Sequence, residues 1–68
     1  MPLTAIVATN LKRARLARRM SQTRLARKAR ISVSYVSMLE REQRTPPLDT
    51  LEALAKALGV KPLDLLSA

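Results

Sequence analysis

The residues with the clearest potential for chemistry lie between Ser21 and Glu42, in the stretch "SQTRLARKARISVSYVSMLERE". Its first half carries four Arg and Lys residues, and its second half carries none until Arg41. Cationic side chains can neutralise the phosphates of a polyanion, whereas serine hydroxyls can donate to or accept from the edges of bases. The stretch therefore joins a segment suited to holding a polyanion to a segment suited to contacting bases.

The charge of the whole chain points to the same kind of partner. The 68 residues include 13 Lys or Arg and 5 Asp or Glu, for a formal net charge of +8. Residues 1–44 hold 11 of the basic residues and 2 acidic ones, whereas residues 45–68 are close to neutral. A one-sided basic surface is typical of proteins that bind polyanions. The length predicts a single domain over residues 1–68, with no second domain.

The composition argues against catalysis and against a metal site. The chain has no His and no Cys, and its single glycine excludes a glycine-rich phosphate loop. We therefore expect no enzyme activity, metal, cofactor or small-molecule ligand. The lack of cysteine suits a cytoplasmic location. No run of about 18 apolar residues is present to span a membrane, so we expect no membrane partner.

Apolar residues recur at helical spacing along the whole chain, without a sustained two-residue alternation. This pattern predicts an all-α fold. Val7, Leu11 and Ala14 share one face of a first helix over about residues 5–18, for which Thr4 is the predicted N-cap.

Serine residues are placed to begin the next two helices. Ser21 can cap a second helix with Leu25 and Ala26 on its apolar side, and Ser32 can cap a third. Each of these helices is about two turns long. Together they cover about residues 21–40.

The last part of the chain predicts two more helices. The run "LDTLEALAKAL" has helical spacing, with Asp49 and Glu52 at the spacing of a capping box. Gly59 is suited to ending this helix in a left-handed conformation. Pro62 is suited to the first position of a fifth helix in "PLDLL".

The order of these elements carries a resemblance to a known family. "LKRARLARRMSQTRLARKARISVSYVSMLE" is followed by "RTPPLDTLEALAKALGV". The chain resembles the Cro/C1-type (XRE-like) helix-turn-helix regulators from about Leu11 to Leu66, including small phage repressors and restriction-modification controller proteins. The resemblance implies a compact five-helix, lambda-repressor-like domain that binds double-stranded DNA, with the helix-turn-helix motif at about residues 21–40.

The resemblance also implies roles for individual residues. Gln22 opens the second helix, contacts a phosphate and supports the recognition helix, whereas Arg15 and Glu40 form a structural ion pair. Arg41 and Arg44 are added on the ground of their charge beside the third helix. The predicted DNA-binding residues are Gln22, Thr23, Ser32, Val33, Ser34, Tyr35, Ser37, Arg41 and Arg44.

The resemblance implies that Val33, Ser34 and Ser37 face the bases. Physical chemistry supports this, because a helix fits the major groove only if its leading face carries short or flexible side chains. Val33, Ser34 and Ser37 meet this requirement. The sequence leaves open whether Tyr35 contacts DNA or the rim of the core.

The chain departs from the family pattern at three turns where glycine is common. Arg19, Arg30 and Glu42 stand at these positions. We expect Arg30, in the turn of the motif, either to adopt a left-handed conformation at a cost of roughly 1 kcal/mol or to alter the turn.

A homodimer is expected because one recognition helix covers too few base pairs to discriminate well. A twofold dimer would place two such helices about 34 Å apart, on an inverted repeat. The near-neutral segment 60–68 is the candidate contact, through Val60, Leu63, Leu65 and Leu66. These leucines could instead close the core of the monomer.

The predicted function is that of a sequence-specific transcriptional regulator that acts by occupying its site, since no effector domain follows. One alternative is a protein-interaction module of the same fold, similar to antitoxins or co-activators. Loss of DNA binding on double mutation of Arg41 and Arg44 would discriminate against it. A cationic membrane binder is disfavoured by the single aromatic residue.

Overall fold

The computed structural model describes residues 2–68 and shows an all-α fold, as the sequence predicts. Within these residues there are five helices and no strand. The helices are α1 (Leu3–Ala17), α2 (Gln22–Ala29), α3 (Val33–Glu40), α4 (Leu48–Leu58) and α5 (Pro62–Leu66). None of the helices formed by residues 2–68 combines the length and the apolar character that a membrane crossing requires.

One hydrophobic core joins all five helices. Its fully buried side chains are Leu11, Leu25, Val36, Leu39, Leu54, Leu58 and Leu65. Each buried leucine contributes roughly 1.5–3 kcal/mol through removal of apolar surface from water. Helices as short as α2 and α3 are marginal on their own, so packing against this core stabilises them.

The two motif helices begin at the predicted serines. The Oγ atom of Ser21 accepts a hydrogen bond of 3.0 Å from the backbone N–H of Arg24. The Oγ atom of Ser32 accepts one of 3.0 Å from the backbone N–H of Tyr35. Both bonds satisfy donors that the first turn of a helix otherwise leaves free.

The predicted start of α1 was wrong. The helix begins at Leu3 with Pro2 as its N-cap residue, and Thr4 lies inside the first turn. The Thr4 hydroxyl forms a hydrogen bond of 3.0 Å with the hydroxyl of Thr45 instead of capping the helix. Proline suits this position because its φ is already restricted to the range that a helix start requires.

The capping box predicted for α4 is also absent. Pro47 precedes the helix, and Asp49 lies in its first turn, where its Oδ1 accepts from the N–H of Thr50 at 2.9 Å. A carboxylate in this turn still interacts favourably with the helix dipole. In α5, by contrast, Pro62 occupies the first position as predicted, and Asp64 Oδ2 accepts from the N–H of Lys61 at 3.0 Å.

Four helices end in the same way, with a left-handed residue that follows the last helical residue directly or after one intervening residue. The residues and their φ values are Arg19 (53°), Arg30 (61°), Glu42 (63°) and Gly59 (70°). In each case the next residue donates its N–H back to a carbonyl five residues earlier. These bonds are Met20 to Arg15 (3.1 Å), Ile31 to Ala26 (2.9 Å), Gln43 to Met38 (2.9 Å) and Val60 to Ala55 (3.0 Å). The pattern is the Schellman motif, and Arg30 adopts the left-handed conformation without altering the turn.

The C-terminal leucines are divided between the core and the surface. Leu65 is 1% exposed and belongs to the core, so its prediction as a dimer contact was wrong. Leu63 is 72% exposed, while Val60 and Leu66 are half-buried and pack against the core. The Nδ2 of Asn10 in α1 donates to the carbonyls of Leu65 and Ser67 at 3.1 and 2.6 Å, which fixes the side of α5 that faces inward.

Candidate nucleic-acid interface

Helix α3 presents a surface of small side chains opposite its buried side. Val36 and Leu39 point into the core. With about 3.6 residues per turn, the opposite side carries Val33, Ser34 and Ser37. Val33 is 43% exposed, Ser34 is exposed and Ser37 is half-buried. The residues predicted to face bases thus lie together on the solvent side of one helix.

Two further residues extend this surface. Met38 follows Ser34 by one helical turn and is half-buried, and it was missed because an apolar residue in a helix is ordinarily assigned to the core. Its spacing of four residues from Ser34 was the available signal. Arg41 is exposed and follows Ser37 at the same spacing; its Nε lies 3.4 Å from the carbonyl oxygen of Ser37.

Tyr35 and Ser32 lie at the edge of this surface. Tyr35 is half-buried and packs against the core, so the contact with the core rim is present. Ser32 is exposed, but its hydroxyl oxygen already accepts the capping bond from Tyr35. A hydroxyl has a donor and a second lone pair, so Ser32 retains the capacity to bond outward.

A network of three side chains holds α3 against α1 and α2. Arg15 Nε donates to Glu40 Oε2 at 2.7 Å, and Arg15 Nη2 donates to Glu40 Oε1 at 3.1 Å. Arg15 Nη1 donates to the carbonyl of Met20 at 2.8 Å. The side chains of Arg15 and Glu40 are only 10% and 4% exposed. A bidentate pair with its other atoms satisfied is the geometry in which a buried ion pair is retained without large cost.

Gln22 is the third member of the network. Its Nε2 donates to Glu40 Oε1 at 3.0 Å, which links the start of α2 to the end of α3. The side chain therefore supports α3 directly, and contact of Gln22 with a phosphate stays a prediction. Thr23, the next residue, is exposed.

Several basic side chains are exposed on the motif helices or next to them. Those of α2 that are exposed are Arg24, Arg27 and Lys28, and Arg44 is exposed beyond α3. Arg18 is directed elsewhere: its Nη2 lies 3.5 Å from the carbonyl of Gly59, at the C-terminal end of α4. A cation is favourable there because helix carbonyls at this end lack partners.

A groove between α2 and α4 carries three of the cations. It is lined by Lys28, Ala29, Arg30, Ala53, Lys56 and Ala57. No carboxylate lines it, so the positive charges are not compensated locally. Within residues 2–68 no group of three His, Cys, Asp or Glu side chains is placed to hold a metal ion.

The match to a family model assigns the class of protein. Residues 11–65 match the helix-turn-helix family HTH_3. The chain belongs to this family, which confirms the resemblance that the sequence carries.

Named relatives include regulatory proteins of phages and restriction systems. The immunity repressor protein of Bacillus phage phi105 is 44% identical over 55 residues, covering 81% of this chain and 38% of the repressor. Control protein C.BamHI of Bacillus amyloliquefaciens is 47% identical over 47 residues, covering 69% of this chain and 58% of the control protein. The chain thus spans less than two thirds of the length of either relative. The names of both are regulatory and not enzymatic.

Solved structures share the arrangement of helices. The hypothetical transcription factor NHTF from Neisseria superimposes with a TM-score of 0.94 at 36% identity, covering 97% of this chain and 76% of that one. The restriction-modification controller protein C.AhdI from Aeromonas hydrophila superimposes with a TM-score of 0.88 at 34% identity, covering 91% and 94%. The five-helix fold is therefore the one that these regulators have.

Proposed function

We propose that this chain is a transcriptional regulator that binds double-stranded DNA, with residues 1–68 acting as one domain and α3 in the major groove. The observation that carries the proposal is the solvent side of α3, where Val33, Ser34 and Ser37 are small enough for close approach to bases. The Glu40 network holds this helix in a fixed orientation, so the three side chains are presented together.

The charge distribution supports DNA as the ligand. Arg24, Arg27, Arg41 and Arg44 are exposed on the segments that adjoin α3. Contacts between such residues and phosphates supply affinity that does not depend on sequence, and they position the reading helix. Serine and valine contribute discrimination through weaker contacts with base edges and thymine methyl groups.

We further propose that the chain acts as a homodimer on an inverted repeat. Eight-residue α3 reads only a short half-site, which favours a second copy. Leu63 is 72% exposed beside the half-buried Val60 and Leu66, in the part of the chain that carries almost no net charge. Repulsion between two basic halves also favours contact at this end. We also propose the cytoplasm as the site of action, because the relatives named above come from a bacterium and a bacterial phage, and bacterial DNA lies in the cytoplasm.

The decisive experiment is selection of bound sequences from a random duplex pool at about 150 mM salt, where binding through charge alone is weakened. Enrichment of an inverted repeat is the expected result. Enrichment of a single half-site would support the regulator and contradict the dimer. Absence of enrichment, with binding that disappears as salt rises, would contradict DNA reading and favour a protein-interaction module.

The dimer contact has its own test in Leu63→Lys, compared with wild type by sedimentation. Because Leu63 is exposed, the variant should fold normally and should shift the chain from dimer to monomer. A variant that still sediments as a dimer would place the interface elsewhere.

A further inference from the structure

The ends of the first four helices share one backbone geometry but not one type of residue. Each has a left-handed residue in the same position of a Schellman motif. Glycine fills that position only after α4, at Gly59. After α1, α2 and α3 the position holds Arg19, Arg30 and Glu42.

The use of charged residues at these positions lowers the stability of the fold. An L-residue with a side chain is disfavoured in the left-handed region, whereas glycine is not. A lack of room for a side chain does not explain why glycine is found only at Gly59. A Cβ added at Gly59 would meet no atom closer than Arg18 Nε at 3.7 Å, which is ordinary van der Waals contact. Glycine therefore occupies the left-handed position in the near-neutral part of the chain, whereas residues with side chains occupy it in the basic part.

Arg19 and Arg30 occupy equivalent places at the entrances of the two motif helices. Each stands two residues before the serine that caps the following helix. One residue separates each arginine from its serine: Met20 in the first turn and Ile31 in the second. Both are half-buried against the core and anchor their turns. Both arginines are therefore held beside the N-terminal turns that carry Gln22 and Val33.

Neither arginine has its charge used inside the fold. Among residues 2–68 the ion pair within 4.0 Å is that of Arg15 with Glu40. Arg30 lines the groove with Lys28 and Lys56, where a third cation adds repulsion and no intramolecular partner. Both arginines are exposed. Because both arginines are exposed and have no ion-pair partner among residues 2–68, their charges are available to a ligand of opposite charge.

We infer that Arg19 and Arg30 bind DNA phosphates beside the recognition helix, and that their charge is retained at a cost in folding stability. Glu42 has the same backbone strain with the opposite charge, so it lowers affinity for DNA where the two arginines raise it. This inference rests on the proposed function, because the phosphates belong to the DNA that α3 contacts.

The test replaces each left-handed residue by glycine and measures both unfolding and DNA binding. In Arg19→Gly and in Arg30→Gly, the equilibrium constant of unfolding should fall about fivefold, because backbone strain is relieved. The Kd for the selected duplex should rise about fivefold at 0.15 M salt, and the slope of log K against log salt should become shallower by about 0.9, as expected for one lost phosphate contact.

Two variants separate this explanation from a general effect of charge or of strain. Glu42→Gly relieves the same strain, so it should stabilise the fold equally while tightening DNA binding. Lys61→Gln lowers the net charge by one unit at an exposed residue of the near-neutral segment, and it should leave the salt slope unchanged.

Glycine variants of Arg19 and Arg30 that are more stable but keep the wild-type Kd and salt slope would overturn the inference and leave the proposed function intact. Glycine variants that are less stable than the wild type would contradict the claim that the two arginines lower folding stability. If the wild-type chain selects no duplex sequence, the proposed function and this inference are both contradicted.

Discussion

The two parts of the chain that meet between Arg44 and Thr45 contribute to one core but have different surfaces. In residues 1–44, Ser21 and Ser32 cap the two motif helices, and 10 of the 11 basic side chains are exposed, all except that of Arg15. In residues 45–68, prolines begin the helices and the net charge is close to zero. Both parts supply fully buried side chains to the core, so the difference lies in the surface. The difference in surface charge fits the proposal that the basic part binds DNA, whereas the near-neutral part contributes mainly to the core.

The largest expected effect comes from Glu40→Gln, which tests how strongly the basic part depends on its one buried charge pair. The substitution leaves the guanidinium of Arg15, only 10% exposed, without a compensating charge. We expect a loss of about 3 kcal/mol in the free energy of unfolding. Unfolding in urea followed by circular dichroism measures it. The matched control is Glu52→Gln on the exposed side of α4, which should change stability by less than about 0.5 kcal/mol. Equal effects of the two substitutions would show that the network does not stabilise the fold.

The second effect concerns the solvent side of α3. Replacing both Ser34 and Ser37 by Glu puts bulk and negative charge where DNA is proposed to lie. We expect the Kd for the selected duplex to rise at least about 100-fold, or about 2.7 kcal/mol, while helical content is unchanged. Lys61→Glu makes the same change in net charge on the neutral part and serves as the control. Retained specificity in the serine variant would contradict the placement of α3 in the groove.

The third effect separates phosphate contacts from base contacts. Arg41→Gln with Arg44→Gln removes two exposed cations next to α3. The Kd should rise about 30-fold at 0.15 M salt, or about 2 kcal/mol, and the salt slope should become shallower by about 1.8. The ranking of preferred duplex sequences should be unchanged, because phosphate contacts carry no sequence information. An unchanged Kd for the duplex in this double variant would favour a protein partner.

The same contrast explains which parts of the fold the sequence predicts. Side chains that act on the backbone next to them can be recognised in the sequence. As expected, Ser21 caps α2, Ser32 caps α3, Gly59 ends α4 and Pro62 begins α5. The start of α1 was missed because the partner of Thr4 is Thr45, which is 41 residues away. Hydrogen bonds between distant segments have no local pattern to reveal them.

Predictions on the candidate site divide in a similar way. The spacing of Val33, Ser34 and Ser37 is a property of one helix, so their shared solvent side follows from periodicity. The burial of Leu65 depends on which side of a five-residue helix faces α1, and the contact of Asn10 with the end of α5 decides this. Met38 was missed for the opposite reason, because residue type suggested burial where position gives partial exposure.

The smallest expected effect is that of Ser32→Ala, and it tests whether serine caps matter in the basic part. Loss of the 3.0 Å bond from the N–H of Tyr35 leaves one donor of the first turn of α3 to water. The cost should be about 1 kcal/mol of stability, measured by thermal unfolding, and Ser21→Ala should cost a similar amount in α2. Ser67→Ala is the control, because the Ser67 hydroxyl donates to Leu63 at the end of the chain and caps no N-terminus. If the two capping serines prove no more costly to replace than Ser67, their hydroxyl caps do not stabilise α2 and α3. A fall in the duplex affinity of Ser32→Ala at unchanged stability would then indicate that the Ser32 hydroxyl contacts DNA.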